Sequence, residues 1–274
     1  MTMRPELVRL SLDTPLIAGN TLAVMLSSIR EGMAAELPWM KEMKKTMKSE
    51  MVRVGEIAMI PVKGVLARNP SLYEMACCDF EDIEQLDDMC KIAESDPEIR
   101  GVLLDIDSPG GFVNGTPEMA DSVAALAKKK CVIAFTAGMA CSAAYWIASQ
   151  ATAVISTRSA IVGSIGVYSA LYDLSAYYAE MGVKVEVATN KEATFKAAGL
   201  PGTSLSDEQR ANWKASVQRD FDEFAAAVTG ARPQIQAESM QGQTFNGKQA
   251  KAAGLVDGIG DKAFALSYLR SKLK

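Results

Sequence analysis

The sequence predicts an α/β fold with a mostly parallel sheet and crossover helices. Three observations carry that expectation. From Val54 onward, strand-like and helix-like stretches alternate, and a β-α-β-α order favours parallel pairing with helices crossing between strands. The strand-like runs are short and continuously apolar, as in Val102-Leu103-Leu104, which suits strands buried on both faces. Apolar residues make up 49% of the 274 and charged residues 23%, enough for a sizeable core.

The elements follow in order. Ile57 to Val62, broken by Pro61, reads as a first strand. Asp79 to Glu94 carries Phe80, Ile83, Leu86, Cys90 and Ala93 at helical spacing. A second strand begins at Val102 and ends at Asp107. Asn114 to Lys130 reads as a helix, with Thr116 able to cap it, Pro117 in its first turn, and Met119, Val123 and Leu126 on one face. Cys131 to Phe135 is a third strand, Ser142 to Gln150 an Ala-rich helix, and Ala153 to Ser156 a fourth strand. Leu171 to Met181 reads as helix and Val183 to Val187 as a fifth strand. Lys191 to Leu205, with Gly199, Pro201 and Gly202, is loop-like. A long helix starts at Asp207, with Trp213, Val217, Phe221, Phe224 and Val228 along one face; core packing against the sheet is its simplest use, and assembly the alternative. Two short helices are expected around 248–253 and 262–272.

Residues 1–52 read as an N-terminal extension or linker, with an amphipathic stretch from Leu22 to Ala35 and a Met- and Lys-rich stretch from Met40 to Met51. Residues 53–274 form the main domain. A net charge of −4 argues against a nucleic-acid partner. Cys77, Cys78, Cys90, Cys131 and Cys141 are an odd, scattered set without a CxxC pair, which points to reduced thiols in a cytoplasmic setting. No apolar stretch follows Arg4 and Arg9 that would make a secretory signal. The uncharged run from Cys131 to Thr157 is long enough to span a bilayer, but it is interrupted by polar residues and splits into strand, turn and helix, so no membrane span is expected.

The chain contains no histidine. A Ser-His-Asp or Cys-His relay cannot be built from it, nor can a His-ligated metal site. A general base must be Asp, Glu, Lys, Tyr, a chain terminus or a cofactor.

Four segments could carry chemistry. Asp107-Ser108-Pro109-Gly110-Gly111 closes a buried strand; it is either a tight turn or a loop whose free amides make an oxyanion hole. In Gly138 to Ala144, small residues crowd Ser142 at a helix start. Ser142 is either an exposed nucleophile or simply the helix cap, and the Ala143 amide would sit where negative charge develops. Cys141 is a rival nucleophile, but without histidine to form an ion pair it reads as a small buried hydrophobe. Lys191 and Lys196 are candidate bases. Glu192 beside Lys191 favours its charged form, whereas Phe195, Ala197 and Ala198 give Lys196 an apolar flank better suited to a neutral amine; both could equally be solvated loop lysines. Gly163 to Val167 is a Gly-bounded strand or turn in which Ser164 is structural on its own evidence, and no phosphate loop is present.

Taken in order, these motifs resemble the signal peptide peptidase A family of serine–lysine peptidases. The resemblance rests on Asp-Ser-Pro-Gly-Gly at 107–111, Ala-Cys-Ser-Ala-Ala-Tyr-Trp-Ile-Ala at 140–148, Val-Gly-Ser-Ile-Gly-Val at 162–167 and Gly-Lys-Gln-Ala-Lys-Ala-Ala-Gly-Leu-Val-Asp at 247–257, and it covers Val54 to Gly260. It implies a ClpP/crotonase-like fold of repeated β-β-α type units and a serine endopeptidase with no cofactor or metal. Ser142 would be the nucleophile, Lys196 the base, and Ser164 the serine that orients the lysine. Gly110 or Gly111, with the Ala143 amide, would form the oxyanion hole. Cys141 and Ala143-Ala144 stand where many relatives carry small residues or Gly-Gly, which alters pocket size.

The resemblance further implies homo-oligomeric rings whose sites draw on neighbours, and a protein or peptide substrate. Residues 1–50 are similar to the opening of phage head-maturation proteases, so scaffold or capsid protein is the expected substrate, in the host cytoplasm or the viral prohead. No N-terminal anchor is expected, nor a scaffold-like extension beyond Lys274. A bacterial soluble signal-peptide-peptidase-like enzyme is the alternative. Two readings from other classes are a crotonase-type acyl-CoA enzyme and a non-catalytic ring or scaffold subunit.

Overall fold

The computed structural model describes residues 49–71, 74–75 and 78–273. Most of the expected N-terminal extension, including Leu22 to Ala35, lies outside these residues, as does Cys77. The described residues divide into two compact units, one holding 49–167 and 220–273, the other Tyr168–Arg219. Among them, no helix is long and apolar enough to cross a membrane.

The larger unit is an α/β domain. Its elements run β1 (Val52–Val54), β2 (Ile57–Ala67), β3 (Phe80–Asp82), α1 (Ile83–Ser95), β4 (Gly101–Gly111), α2 (Thr116–Lys129), β5 (Cys131–Cys141), α3 (Ala143–Ser149), β6 (Ala153–Ser156) and β7 (Ile161–Gly163). After the smaller unit come β8 (Thr244–Asn246), a helix at Gly247–Ala252, β9 (Gly258–Ile259) and a helix at Lys262–Lys272. The sheet order is β1-β2-β4-β5-β6-β9, and β2-β4-β5-β6-β9 are all parallel. β3 adds to the far end of β2, and β7 to the far end of β5.

The long strands are legible residue by residue. Along β2, β4 and β5, alternate side chains enter opposite cores because a strand's side chains alternate faces. Ile57, Leu103, Ile133 and Phe135 join Ala265 and Leu269 of the last helix. Ala58, Val102, Leu104, Val132 and Ala134 join Leu86, Val123, Leu126 and Trp146 from the helices of the other face. α1 begins four residues into the expected helix, because Phe80 to Asp82 pairs with Val65 to Ala67 and the Asp82 carboxylate caps the helix by accepting from the Glu84 N–H. Thr116 does not cap α2. Gly115 occupies that position with φ 94°, and the Thr116 hydroxyl donates to the Phe112 carbonyl instead.

An ion pair between buried Arg232 and the more exposed Asp257 braces the C-terminal part. Asp257 accepts two bonds from Arg232, which is only 4% exposed, and a third from the Val154 N–H on β6. Phe224 stacks on Trp146 of α3 at 4.6 Å between ring centroids.

The smaller unit holds α4 (Ser175–Glu180) and the start of α5 (Asp207–Ala231), whose later turns belong to the larger unit. None of residues 168–219 is buried. The strand expected at Val183 to Val187 does not form, and Val183 and Val187 are each 45% exposed. A strand exists only by pairing its N–H and C=O groups with a neighbour, and no other strand belongs to this unit among the described residues. Within the unit, the Trp213 indole N–H donates to Ser169 Oγ, and the Gln209 amide to the Thr194 carbonyl.

Glu81 on β3 is 7% exposed, and burial, with Asp82 and Asp79 nearby, pushes its carboxyl from 4.5 up to about 7 despite a hydrogen bond from Ser49 Oγ. A raised folded-state value stabilises the fold below the unfolded-state value, and this contribution is lost as pH rises through the folded-state value. Wild type is therefore expected to lose melting temperature relative to Glu81→Gln between pH 4.5 and about 7. Parallel thermal melts of the two proteins across that range measure the difference; a constant offset contradicts it.

Candidate active site

The motif residues of the larger unit gather at the carboxyl ends of β4, β5 and β7. The second strand runs on to Gly111, so Asp107 to Gly111 is paired strand and not a turn after the strand. β5 likewise continues to Cys141, immediately before Ser142. Carboxyl ends of parallel strands are where open α/β sheets form their sites, because the chain leaves the sheet there with unpaired backbone groups.

Ser142 has φ 52° and ψ −127°. This is strained for a residue with a side chain and costs of order 1–3 kcal/mol. The backbone is held there from both sides: the Ser142 N–H donates to the Gly163 carbonyl at 2.9 Å, and the Trp146 N–H donates to the Ser142 carbonyl at 2.9 Å. The helix-cap reading fails, since the Ser142 side chain makes no capping bond to α3. The hydroxyl is left half-buried at a strand-to-helix turn, with buried Ala140, Cys141, Ala143 and Ala144 around it in sequence. Cys141 is no competitor. Its Sγ points at the Ile161 carbonyl, and burial pushes its thiol up, away from the reactive thiolate.

Gly110 is pressed against this turn. A Cβ there would lie 2.6 Å from Ser142 Cβ and 2.8 Å from the Cys141 carbonyl, and its φ of 105° also disfavours a side chain. The N–H groups of Gly110 and Gly111 differ. Gly110 donates to Ser108 Oγ at 3.1 Å. Phe112 donates to the Leu66 carbonyl on β2 at 2.9 Å. Successive N–H groups along a strand point to opposite sides, so the Gly111 N–H faces away from β2, towards the side of β5.

Ser164 directly follows Gly163, the residue whose carbonyl accepts the Ser142 N–H, so its backbone lies near that of Ser142. It too has positive φ, 51°, held by its N–H donating to the Gln243 carbonyl at 2.8 Å. The structure thus brings Ser142, Ser164, Gly110, Gly111 and Ala143 together within one unit. Lys196 belongs to the other unit, as does Lys191; both are exposed, and the apolar flank does not enclose Lys196, since Phe195 is itself 44% exposed. No group of His, Cys, Asp and Glu among the described residues could hold a metal ion.

Two polar ties escaped the sequence reading. Asp107 accepts from the Met139 N–H at 3.0 Å, linking the glycine motif to the approach of Ser142. Gly138 permits that approach, because a Cβ there would lie 2.1 Å from Asp107 Oδ1. Ser108, fully buried, holds Gly110 and the Gly64 carbonyl of β2. The available signal was the polar pair Asp107-Ser108 at the end of a strand that begins with the apolar run Val102-Leu103-Leu104.

Gly110→Ala is expected to cost about 3 kcal/mol, combining backbone strain with overpacking, whereas Gly55→Ala costs about 1 kcal/mol from strain alone. Gly55 also has positive φ but open space around it. Urea unfolding of both variants measures the gap; equal costs would contradict the close approach.

Comparison with known proteins adds four findings. The pattern that defines peptidase family S49 matches residues 124–274, just over half of the chain. Protease 4 of Salmonella typhi is 32% identical over 189 residues, covering 66% of this chain and 30% of that protein. Capsid assembly protease C of Escherichia phage lambda is 30% identical over 221 residues, covering 79% of this chain and 49% of its own length. The chain thus spans half or less of the length of these two relatives. Among solved structures, an enoyl-CoA hydratase from Thermoplasma volcanium aligns over 84% of this chain and 78% of its own, at 18% identity and a TM-score of 0.45, a likeness that carries no argument about chemistry.

Proposed function

The chain belongs to peptidase family S49, and from that premise we propose that it is a serine endopeptidase working through a Ser142/Lys196 dyad. The observation that carries the reading is the strained, uncapped Ser142 against Gly110. Neutral Lys196 takes the Ser142 proton as the hydroxyl attacks a peptide carbonyl. The oxyanion forms against the N–H groups of Gly111 and Ala143, the Gly110 N–H being engaged by Ser108. Protonated Lys196 then gives its proton to the leaving amine, and water, deprotonated by the neutral lysine, hydrolyses the acyl-enzyme. Ser164 orients the lysine. The peptidase domain is taken as residues 53–274.

A lysine acts as base only when neutral, and burial favours that form. Assembly into a homo-oligomeric ring would supply it. The exposed Tyr168, Tyr172, Tyr177 and Met181 of this segment support a partner surface there. The substrate is a protein or peptide bound in extended form. We favour scaffold or capsid protein, processed during head assembly in the host cytoplasm or prohead; the lambda capsid assembly protease match supports this. Removal of signal peptides in a bacterial cell is the alternative.

Ser142→Ala and Lys196→Ala are each expected to fold and assemble as wild type does, yet to lose cleavage of an unfolded protein substrate by at least about a thousandfold. Gel-based proteolysis with matched thermal melts tests this; wild-type rates in either variant would remove that residue from the dyad. Because the mechanism needs its base neutral, the rate of wild type should rise towards alkaline pH. A rate already at its plateau well below neutrality speaks for another base.

A further inference from the structure

The site contains a buried hydroxyl that the proposed chemistry does not use. Ser108 has no exposed surface. Its Oγ donates to the Gly64 carbonyl at 2.6 Å and accepts from the Gly110 N–H at 3.1 Å. Both of its strand contacts are irregular at this level: the register between β2 and β4 shifts between Lys63 and Val65, and that between β4 and β5 shifts between Ile106 and Ser108. Gly64 lies in the first shift with φ 62°. One hydroxyl therefore ties together two places where the ladder is broken.

The consequence falls on the two glycines. In an uninterrupted ladder, Gly110 would take its hydrogen bond from the neighbouring strand. Here its φ is 105°, its α-carbon is packed on Ser142, and its N–H is turned back to Ser108 two residues earlier. Phe112 returns to the β2 ladder through the Leu66 carbonyl. The peptide between these two anchors carries the Gly111 N–H, whose direction follows from both.

We infer that Ser108 is a positioning residue, whose hydroxyl holds the Gly110–Gly111 segment so that the Gly111 N–H is aimed at the oxyanion forming on the Ser142 side. It touches neither substrate nor reacting atoms. This inference rests on the proposed reading of Ser142 as nucleophile. A donor aimed at the oxyanion acts in the transition state and little in the ground state, so its misalignment lowers kcat and leaves KM nearly unchanged. A hydroxyl that only stabilises the strands would lower the melting temperature and leave kcat per folded molecule as it was.

The experiment compares wild type, Ser108→Ala and Ser108→Cys on a peptide substrate, with rates normalised to the fraction of Ser142 that a fluorophosphonate labels, located by mass spectrometry. For Ser108→Ala, kcat is expected to fall roughly 10- to 100-fold with KM within about twofold. Ser108→Cys fills the same space with a weaker hydrogen-bonding group, and its kcat should fall between the two. It also serves as the readout if Ser108→Ala fails to fold. Labelling of Ser142 with unchanged kcat in the folded variants overturns the role of Ser108 alone. A wild type that cleaves the peptide but takes no label at Ser142 overturns the nucleophile assignment, and the role of Ser108 with it.

Discussion

Between Gly110 and Ser142 there is no room for a side chain. A Cβ on the glycine would lie 2.6 Å from that of the serine. The rest of the larger unit can be understood as what makes this approach possible. β4 and β5 must run parallel and end together, and both glycine and serine must take backbone conformations that unconstrained chains avoid. Strain at Ser142 survives because neighbouring strands over-determine it: Gly163 accepts its N–H, and Trp146 closes the first helical bond on its carbonyl.

The surroundings of that contact are built to be rigid. Asp107 ties the β4 motif to the backbone at Met139, Ser108 ties it to β2, and Gly163 and Ser164 are clamped by Gln243 and by the pairing with β8. Behind α3, Trp146 is stacked on Phe224, and Tyr145 donates to the Leu255 carbonyl. The Arg232–Asp257 pair fixes the segment that follows and caps β6 through Val154. A backbone donor that must meet a developing charge gains from such rigidity, because no reorganisation is needed when the charge appears. The segment 168–219 is the opposite case. It carries Lys196, it has no buried residue, and its Tyr168, Tyr172, Tyr177 and Met181 are all more than half exposed. Precise geometry is concentrated in one unit, and the proposed base in the other.

Most of the fold was legible in sequence because its strands are buried on both faces and its helices on one. Apolar runs such as Val102-Leu103-Leu104 and spacings such as Met119, Val123 and Leu126 report burial directly. What was misread had local chemistry with two outcomes. Thr116 stands where a cap belongs, yet its hydroxyl bonds backwards to Phe112; of the two uses open to Ser142, the cap is the one not made. Val183 to Val187 alternates like a strand, but alternation states a preference and pairing needs a partner. The glycine motif read as a tight turn or a loop after the strand, yet the structure pairs it as strand, because glycine permits both.

The sequence by itself determined what the chemistry can be. Without histidine, any serine nucleophile must find another base, and four ordered motifs restrict the search to a few residues. It determined the order of the long buried strands and of the helices between them as well, since hydrophobic periodicity is local. Only the tertiary structure decided which groups face one another. The choice between the Gly110 and Gly111 amides depends on which carbonyls and hydroxyls β2 and Ser108 present to them. The freedom of Ser142 depends on a close approach by Gly110, on a strand that ends well before it in the chain. Hydrogen-bond direction and steric exclusion are properties of pairs of residues distant in sequence, and no local pattern encodes them.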